Sequence, residues 1–291
     1  MIEKTLSKDD PKILYHYCSN ATLCSIIQNK SIWLSSLSLS NDSMEGRWLR
    51  GIFKKACEES DIKNRHVPDI MQSFDYLIEI SDSFGFCLSE QGDLLSQWRG
   101  YADDASGVSI GFSYPYLQSG HPIDEEKNIA GYSLQKVIYG AQEQPEYLER
   151  VIKMVEKFSS DGAYDRPGLL TLPKTSKERE AQKKLRASAS FPLIFLMFDL
   201  FKVKNPAFSE EREWRLMSPS PRGVLKTCKY RSAGNKIIPY QEYQLDRMNE
   251  RPLVEIVLGP KNASNEKDIA NLLLANGFEN VAVKRSSATY R

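Results

Sequence analysis

Between Phe84 and Phe112 the chain sets down a strand, a short helix and a second strand in one compact unit, and no other stretch constrains the fold as much. Phe84-Gly85-Phe86-Cys87-Leu88-Ser89 reads as the first strand. Gln91-Gly92 turns it into a helix over Asp93–Tyr101, with Asp93 as the cap. Gly107-Val108-Ser109-Ile110-Gly111-Phe112 then alternates with period two and reads as the second strand. No glycine-rich phosphate loop follows a strand, and elsewhere strands and helices are interspersed without a strict βαβ rhythm. This pattern points to α+β rather than to a doubly wound parallel sheet, and the expectation is an α+β fold forming a single domain over residues 1–291.

The remaining elements follow from local patterning. Strands are expected at Ile13–Tyr17, Ser31–Ser35, Leu134–Tyr139, Leu253–Leu258 and Val281–Val283. Helices are expected over Ala21–Gln28, capped by Ser19 or Asn20, and over Arg47–Glu59, Ile70–Ile80, Pro145–Phe158 and Glu266–Leu274. A long helix over Lys177–Lys204 is interrupted near Pro192. Residues 161–176, rich in Gly and Pro over Asp161–Pro173, read as a loop or lid.

Composition narrows the function classes. Of 291 residues, 41% are hydrophobic and 26% charged, so the chain can build a core and is not a disordered segment. Lys+Arg 39 against Asp+Glu 38 leaves +1, which supplies no global field for nucleic acid. The five cysteines (Cys18, Cys24, Cys57, Cys87, Cys228) show no CxxC spacing and there are three histidines, so no metal is expected and free thiols fit a reducing cytoplasm. The start, Met1-Ile2-Glu3-Lys4, has no apolar signal core. Phe191–Phe198 is apolar, reads as a buried helix and is too short to span a bilayer. A cytoplasmic protein without a membrane partner is the expectation, with oligomeric state open.

Four polar clusters sit beside expected strands. Tyr15-His16-Tyr17 places a histidine between two tyrosines, either as a strand residue satisfied by backbone or as a hydrogen-bonding group for a ribose. Asn41-Asp42-Ser43-Met44-Glu45 is either a helix cap with Glu45 closing a capping box, or a polar cleft rim. Ser89-Glu90 leads to Ser96-Gln97-Trp98-Arg99-Gly100-Tyr101, where Trp98 and Tyr101 share a helix face, as do Ser96 and Arg99. Such an aromatic pair is usually core, whereas a guanidinium beside it suits an anion or nucleotide. In the fourth cluster, read as a strand, Glu211, Glu213 and Arg215 face one way, and Arg212, Trp214 and Leu216 the other. Trp214 and Leu216 imply a core on their side, so the charged row faces water or a cleft.

Taken together, Leu14-Tyr15-His16-Tyr17, Asn41-Asp42-x-x-Glu45, Ser89, Trp98-x-x-Tyr101, Gly107-Val108-x-Ile110-Gly111-Phe112, Glu211-x-Glu213-Trp214-Arg215 and Ser287-x-x-Tyr290-Arg291 resemble an uncharacterised bacterial family, a domain of unknown function. The layout is also similar to the ADP-ribosyltransferases, with a histidine in the first strand, a serine- or tyrosine-bearing strand–helix segment and a late glutamate opening a strand. That resemblance implies a split, mainly antiparallel sheet flanked by helices and NAD as substrate. It implies Glu213 as the catalytic carboxylate, with Glu211 positioning the acceptor, a protein or nucleic acid. His16 is assigned to the adenosine-side ribose, Tyr101 or Trp98 to nicotinamide, and Arg99 or Arg215 to the pyrophosphate, with Tyr17, Ser89 and Ser96 as further binding residues. A toxin or phage-defence effector is the implied setting. The Ser-Thr-Ser triplet of some such enzymes is absent. Two other classes stand beside this one: a non-catalytic nucleotide-binding sensor, and a metal-dependent hydrolase or nuclease using Asp42, Glu45 and Glu213.

Overall fold

The structure is a computed structural model that describes residues 11–40, 46–119, 131–140, 148–166, 175–197, 199–221, 228–245 and 251–290. Strand β1 (Ile13–Cys18) is followed by α1 (Asn20–Asn29), whose cap is Ser19: its Oγ accepts from Thr22 N. Then come β2 (Ser31–Ser36), α2 (Trp48–Glu58) and α3 (Val67–Ile80), the last two burying the apolar stripes expected of them. Strand β3 (Ser81–Ser89) leads to α4 (Leu95–Tyr101), β4 (Val108–Ser113) and the short α5 (Tyr114–Gln118). The middle of the chain supplies β5 (Ser133–Lys136), β6 (Ile138–Tyr139), α6 (Leu148–Ser160), α7 (Ser176–Ser188), α8 (Phe191–Met197) and β7 (Val203–Lys204). Strands β8 (Glu213–Pro221), β9 (Lys229–Ala233), β10 (Lys236–Gln244) and β11 (Leu253–Leu258), helix α9 (Glu266–Ala275) and β12 (Ala282–Arg285) complete it. The fold is α+β, with a mainly antiparallel sheet flanked by helices; the β11–β12 and β6–β7 pairs are parallel.

Strand β3 organises the sheet. One edge pairs with β8 in register from Ser81↔Pro221 to Ser89↔Glu213. The other edge is shared. Strand β2 takes its start, through Ser36↔Phe84 and Ser35↔Gly85, and β1 takes its end, through Tyr15↔Ser89. Between these contacts, at Cys87, β1 and β2 diverge. Strand β1 continues to β4, β11 and β12, and β2 to β10 and β9.

Period-two alternation assigns the two faces. Phe84, Phe86, Leu88, Trp214 and Leu216 join Leu14, Ile110, Phe112 and the apolar faces of α1, α5 and α9 in one core. A second core packs α2, α3, α6 and α8 against Met217. At the tight crossing of β1 and β4, Gly107 has no room for a side chain: a Cβ there would lie 2.2 Å from the Cys18 backbone oxygen. Gly107→Ala is therefore expected to lower stability by about 1–3 kcal/mol, the usual cost of overpacking. Urea unfolding measures this, and an unchanged midpoint would show that the crossing can relax.

Three expectations need correction. The long helix over Lys177–Lys204 is two helices and a strand. Helix α7 carries a capping box of Thr175 and Glu178 and ends at Ser188; α8 starts at Phe191 with Pro192 in its first turn, and Val203–Lys204 is β7. Helix α8 is only half buried: Pro192, Leu193 and Leu196 face the core, whereas Phe191, Ile194 and Phe195 are exposed. Asp93 does not cap α4, whose cap position is Leu94; its carboxylate instead holds Trp98 Nε1 at 2.7 Å and the backbone N and Oγ of Ser287.

Candidate functional site

The divergence of β1 and β2 opens a cleft of about 350 Å³. Tyr15, His16 and Tyr17 line one side; Ser35, Ser36 and Arg231 line the other; Tyr101, Lys204, Glu211, Glu213 and Arg215 close one end. His16 sits where the sheet forks. Its Nδ1 lies 2.9 Å from the Cys87 carbonyl oxygen, and its ring stacks on Phe86 at 4.0 Å. A carbonyl only accepts, so Nδ1 carries the proton and Nε2 is left as an acceptor. Burial holds the ring's pKa down at about 4, outweighing the carbonyl bond, so His16 is neutral near pH 7.

Glu213 opens β8 and is buried beneath the cleft. Its Oε1 accepts from Arg215 Nε at 2.7 Å, and its Oε2 from Arg215 Nη2 and Lys204 Nζ, each at 3.0 Å. Burial alone would raise the carboxyl's pKa, but the Arg215 and Lys204 charges outweigh it and hold the group at about 2. Lys204 is likewise buried, a change that favours its neutral form; Glu213 and Glu211 reverse this and keep it charged, with Glu211 Oε2 at 2.6 Å. The backbone N of Glu213 donates to Tyr139 Oη at 2.8 Å, and Arg215 Nη1 to the Phe201 oxygen at 2.8 Å.

Glu211 reaches the same place by another route. It ends a 3₁₀ turn over Pro206–Glu211, and Arg212, in the left-handed conformation (φ 43°, ψ 53°), steps the chain into β8. The expected strand thus begins two residues later, at Glu213, yet the charged row still faces the cleft. Ser89 Oγ donates to the Glu211 backbone oxygen at 2.7 Å, and Tyr101 Oη to Glu211 Oε1 at 3.1 Å. Tyr101, 46% exposed, has its phenol pKa pushed up by burial of the oxygen and then by the Glu211 charge.

The other sequence candidates divide. Tyr17 lines the cleft but is itself buried; its hydroxyl donates to Gln91 O and accepts from Leu94 N, tying β1 to the start of α4. Ser89 is buried behind Glu211 and acts on its position. Trp98 is fully buried, edge-on to Tyr17 at 4.8 Å, and does not line the cleft, so the aromatic reading of that helix face as core holds for it. Arg99 and Ser96 are exposed and do not line the cleft; Arg99 lies over the Tyr290 ring at 5.7 Å. Asn41, Asp42 and Glu45 lie outside the described residues.

Several residues carry no signal in the sequence. Lys204 sits on a two-residue strand, and Tyr139 on its partner β6; only that pairing brings them to Glu213. Arg231 comes from a hairpin not expected at all. Elsewhere, Ser159, His66 and Asp165 form a hydrogen-bonded row, with Ser159 Oγ 2.9 Å from His66 Nδ1 and Asp165 Oδ1 2.8 Å from Nε2. Ser159 is fully buried and the carboxylate is the exposed member, the reverse of what a serine nucleophile requires. Among the described residues, no group of three or more His, Cys, Asp or Glu side chains is placed to hold a metal, and no helix is long and apolar enough to cross a membrane.

Fold and site together define an α+β protein with a charged cleft at a fork in its sheet. Residues 97–216 match the model of a family described as Protein of unknown function (DUF2971), in agreement with the resemblance to a domain of unknown function. The matched segment contains Tyr101, Lys204, Glu211, Glu213 and Arg215, and excludes His16. No curated protein and no solved structure matches the chain.

Proposed function

We propose that the cleft binds NAD and transfers its ADP-ribosyl group to a protein or nucleic-acid acceptor. The observation that carries this reading is the convergence of His16 from β1, Tyr101 from α4, and Glu211 and Glu213 around β8 on one cleft. Its volume, about 350 Å³, lies at the small end of the roughly 300–1,000 Å³ typical of ligand sites. We assign it to the nicotinamide–ribose half of the dinucleotide as far as the pyrophosphate, and leave the adenosine half to the open rim. In the reaction the nicotinamide–ribose C–N bond breaks, the acceptor's nucleophile bonds to the ribose carbon, and the acceptor's proton leaves.

The residues suit such a step. Breaking that bond builds positive charge on the ribose, as in glycoside hydrolysis, and a fixed carboxylate stabilises it without reorganising. Glu213 is anionic and held by three hydrogen bonds from two cations, Arg215 and Lys204. Glu211, nearer the opening, accepts from Tyr101 and is placed to orient an acceptor hydroxyl. His16 Nε2, an acceptor, can take a ribose hydroxyl proton in a hydrogen bond.

A second reading, a nucleotide-binding sensor without chemistry, is favoured by one observation. Both oxygens of Glu213 are already engaged by cations. Incubation with NAD labelled in its adenylate half, together with cell lysate, separates the two. Transfer predicts label in the protein or nucleic-acid fraction and release of free nicotinamide. NAD binding without either product would establish the sensor, and no NAD binding would remove both readings.

A further inference from the structure

The cleft is electrically lopsided. At the Glu213 end every cation is matched: Lys204 and Arg215 share two carboxylates. At the other end Arg231 lines the cleft, and among the described residues it makes no ion pair. Its Nη2 donates to Ser35 Oγ at 3.1 Å; its Nε is buried without a hydrogen-bond partner. An unmatched guanidinium with a buried, unused donor is a costly arrangement unless an anionic acceptor completes it.

The sheet register places this group on the same face as the carboxylates. Glu213 and Arg215 lie opposite Ser89 and Cys87 on β3; Gly85 lies opposite Ser35 on β2; Ser35 lies opposite Tyr240 on β10; and Ile238, two residues before it, lies opposite Arg231 on β9. Residues directly opposite share a face, so these side chains project into one trough. From β8 to β9 are four strand steps of about 4.8 Å, roughly 19 Å of backbone before the reach of the arginine side chain. Asp82, the nearest carboxylate on β3, belongs to the opposite face and is held by Ser36 and Ser38.

We propose that Arg231, with the Ser35 hydroxyl, is a phosphate-binding subsite that takes the pyrophosphate of a nucleotide whose reacting sugar lies against Glu213. A planar guanidinium fork matches phosphate oxygens in pairs, and Ser35, whose oxygen accepts from Arg231, still has its O–H to donate. The subsite deepens the NAD reading and rests on it. It replaces the sequence-based assignment of pyrophosphate to Arg99, which is away from the cleft, or Arg215, which is committed to Glu213.

The test is calorimetric titration of the full chain with NAD and, separately, with inorganic pyrophosphate, for wild type, Arg231→Gln and Ser35→Ala. Loss of a charged hydrogen bond is expected to weaken both ligands about tenfold or more in Arg231→Gln, and less in Ser35→Ala, with melting temperatures near wild type. NAD binding that is unchanged in both variants overturns the subsite and leaves the NAD reading intact. Pyrophosphate binding that depends on Arg231, with no NAD binding, upholds the subsite and overturns the NAD reading. Should Arg231→Gln fail to fold, Ser35→Ala decides: pyrophosphate affinity equal to wild type counts against the subsite. No binding of either ligand to wild type overturns both.

Discussion

Arg215→Met is expected to lower the free energy of unfolding by about 3–5 kcal/mol, the cost of leaving one member of a buried ion pair without its partner. Arg215 is 1% exposed, contacts both Glu213 oxygens and also holds the Phe201 carbonyl. The double variant Arg215→Met with Glu213→Leu should recover much of the loss, because the buried charge is then gone. Denaturant unfolding of the three proteins checks this, and a single-variant loss under about 1 kcal/mol would show that Lys204 alone satisfies the carboxylate. The pH dependence gives a second readout. Glu213 titrates near 2 in the folded protein, against about 4.3 for an unfolded glutamate. A depressed carboxyl contributes stability that is fully present above the unfolded value and is lost as pH falls toward the folded one. His16, held near 4 against about 6.5 when unfolded, also makes the unfolded state the better proton binder, so it removes stability as pH falls below about 6.5. Wild type should therefore lose stability over both windows, and Arg215→Met, in which only Lys204 still faces Glu213, should lose less over the lower one.

Glu213→Gln is expected to reduce ADP-ribosyl transfer by about a hundredfold or more, the scale seen when one pre-organised electrostatic group is removed from a site. From the sequence alone, this change is expected to alter NAD binding and folding little. The structure says otherwise, because Glu213 also neutralises two buried cations, and its amide would present Lys204 or Arg215 with a neutral partner or with an N–H donor. Activity must therefore be read per folded molecule. Adding Arg215→Met to Glu213→Gln removes the cation left unmatched, since Lys204 keeps Glu211, and should return stability without returning transfer. Single-turnover transfer and melting temperature on both proteins decide the matter. Transfer that returns with stability would make Glu213 a structural ion-pair partner and not a catalytic residue.

What could be read from the sequence was whatever a short window encodes. The strand at Val108–Phe112, the Ser19 cap and the opposition of Glu213 to Trp214 are local patterns, and each is present in the structure, although that strand is buried on both faces and not on one. The middle of the site depends on distant pairings. Lys204 looks like the basic end of a helix until β7 pairs with β6, and Glu211 looks like a strand residue until the left-handed Arg212 intervenes. Trp98 fits a stacking role by its spacing with Tyr101, but the helix rotates it into Tyr17 and leaves only Tyr101 at the cleft. Arg231 was invisible because its hairpin is polar at the turn and reaches the sheet only through β10 on β2, so that its side-chain partner Ser35 lies 196 residues earlier in sequence.

The nine-pair ladder between β3 and β8 has a consequence for how such chains can diverge. Substitutions leave the parity of β8 intact, with Glu213 and Arg215 on one side and Trp214 and Leu216 on the other. A gap of a single residue inside β8 exchanges the two sets, sending an indole to the opening and a carboxylate into the hydrocarbon interior. Lineages descending from a common ancestor can therefore drift in composition along this strand while its length stays fixed, and an odd-length gap between Glu213 and Leu216 marks a descendant that has abandoned the charge pair altogether.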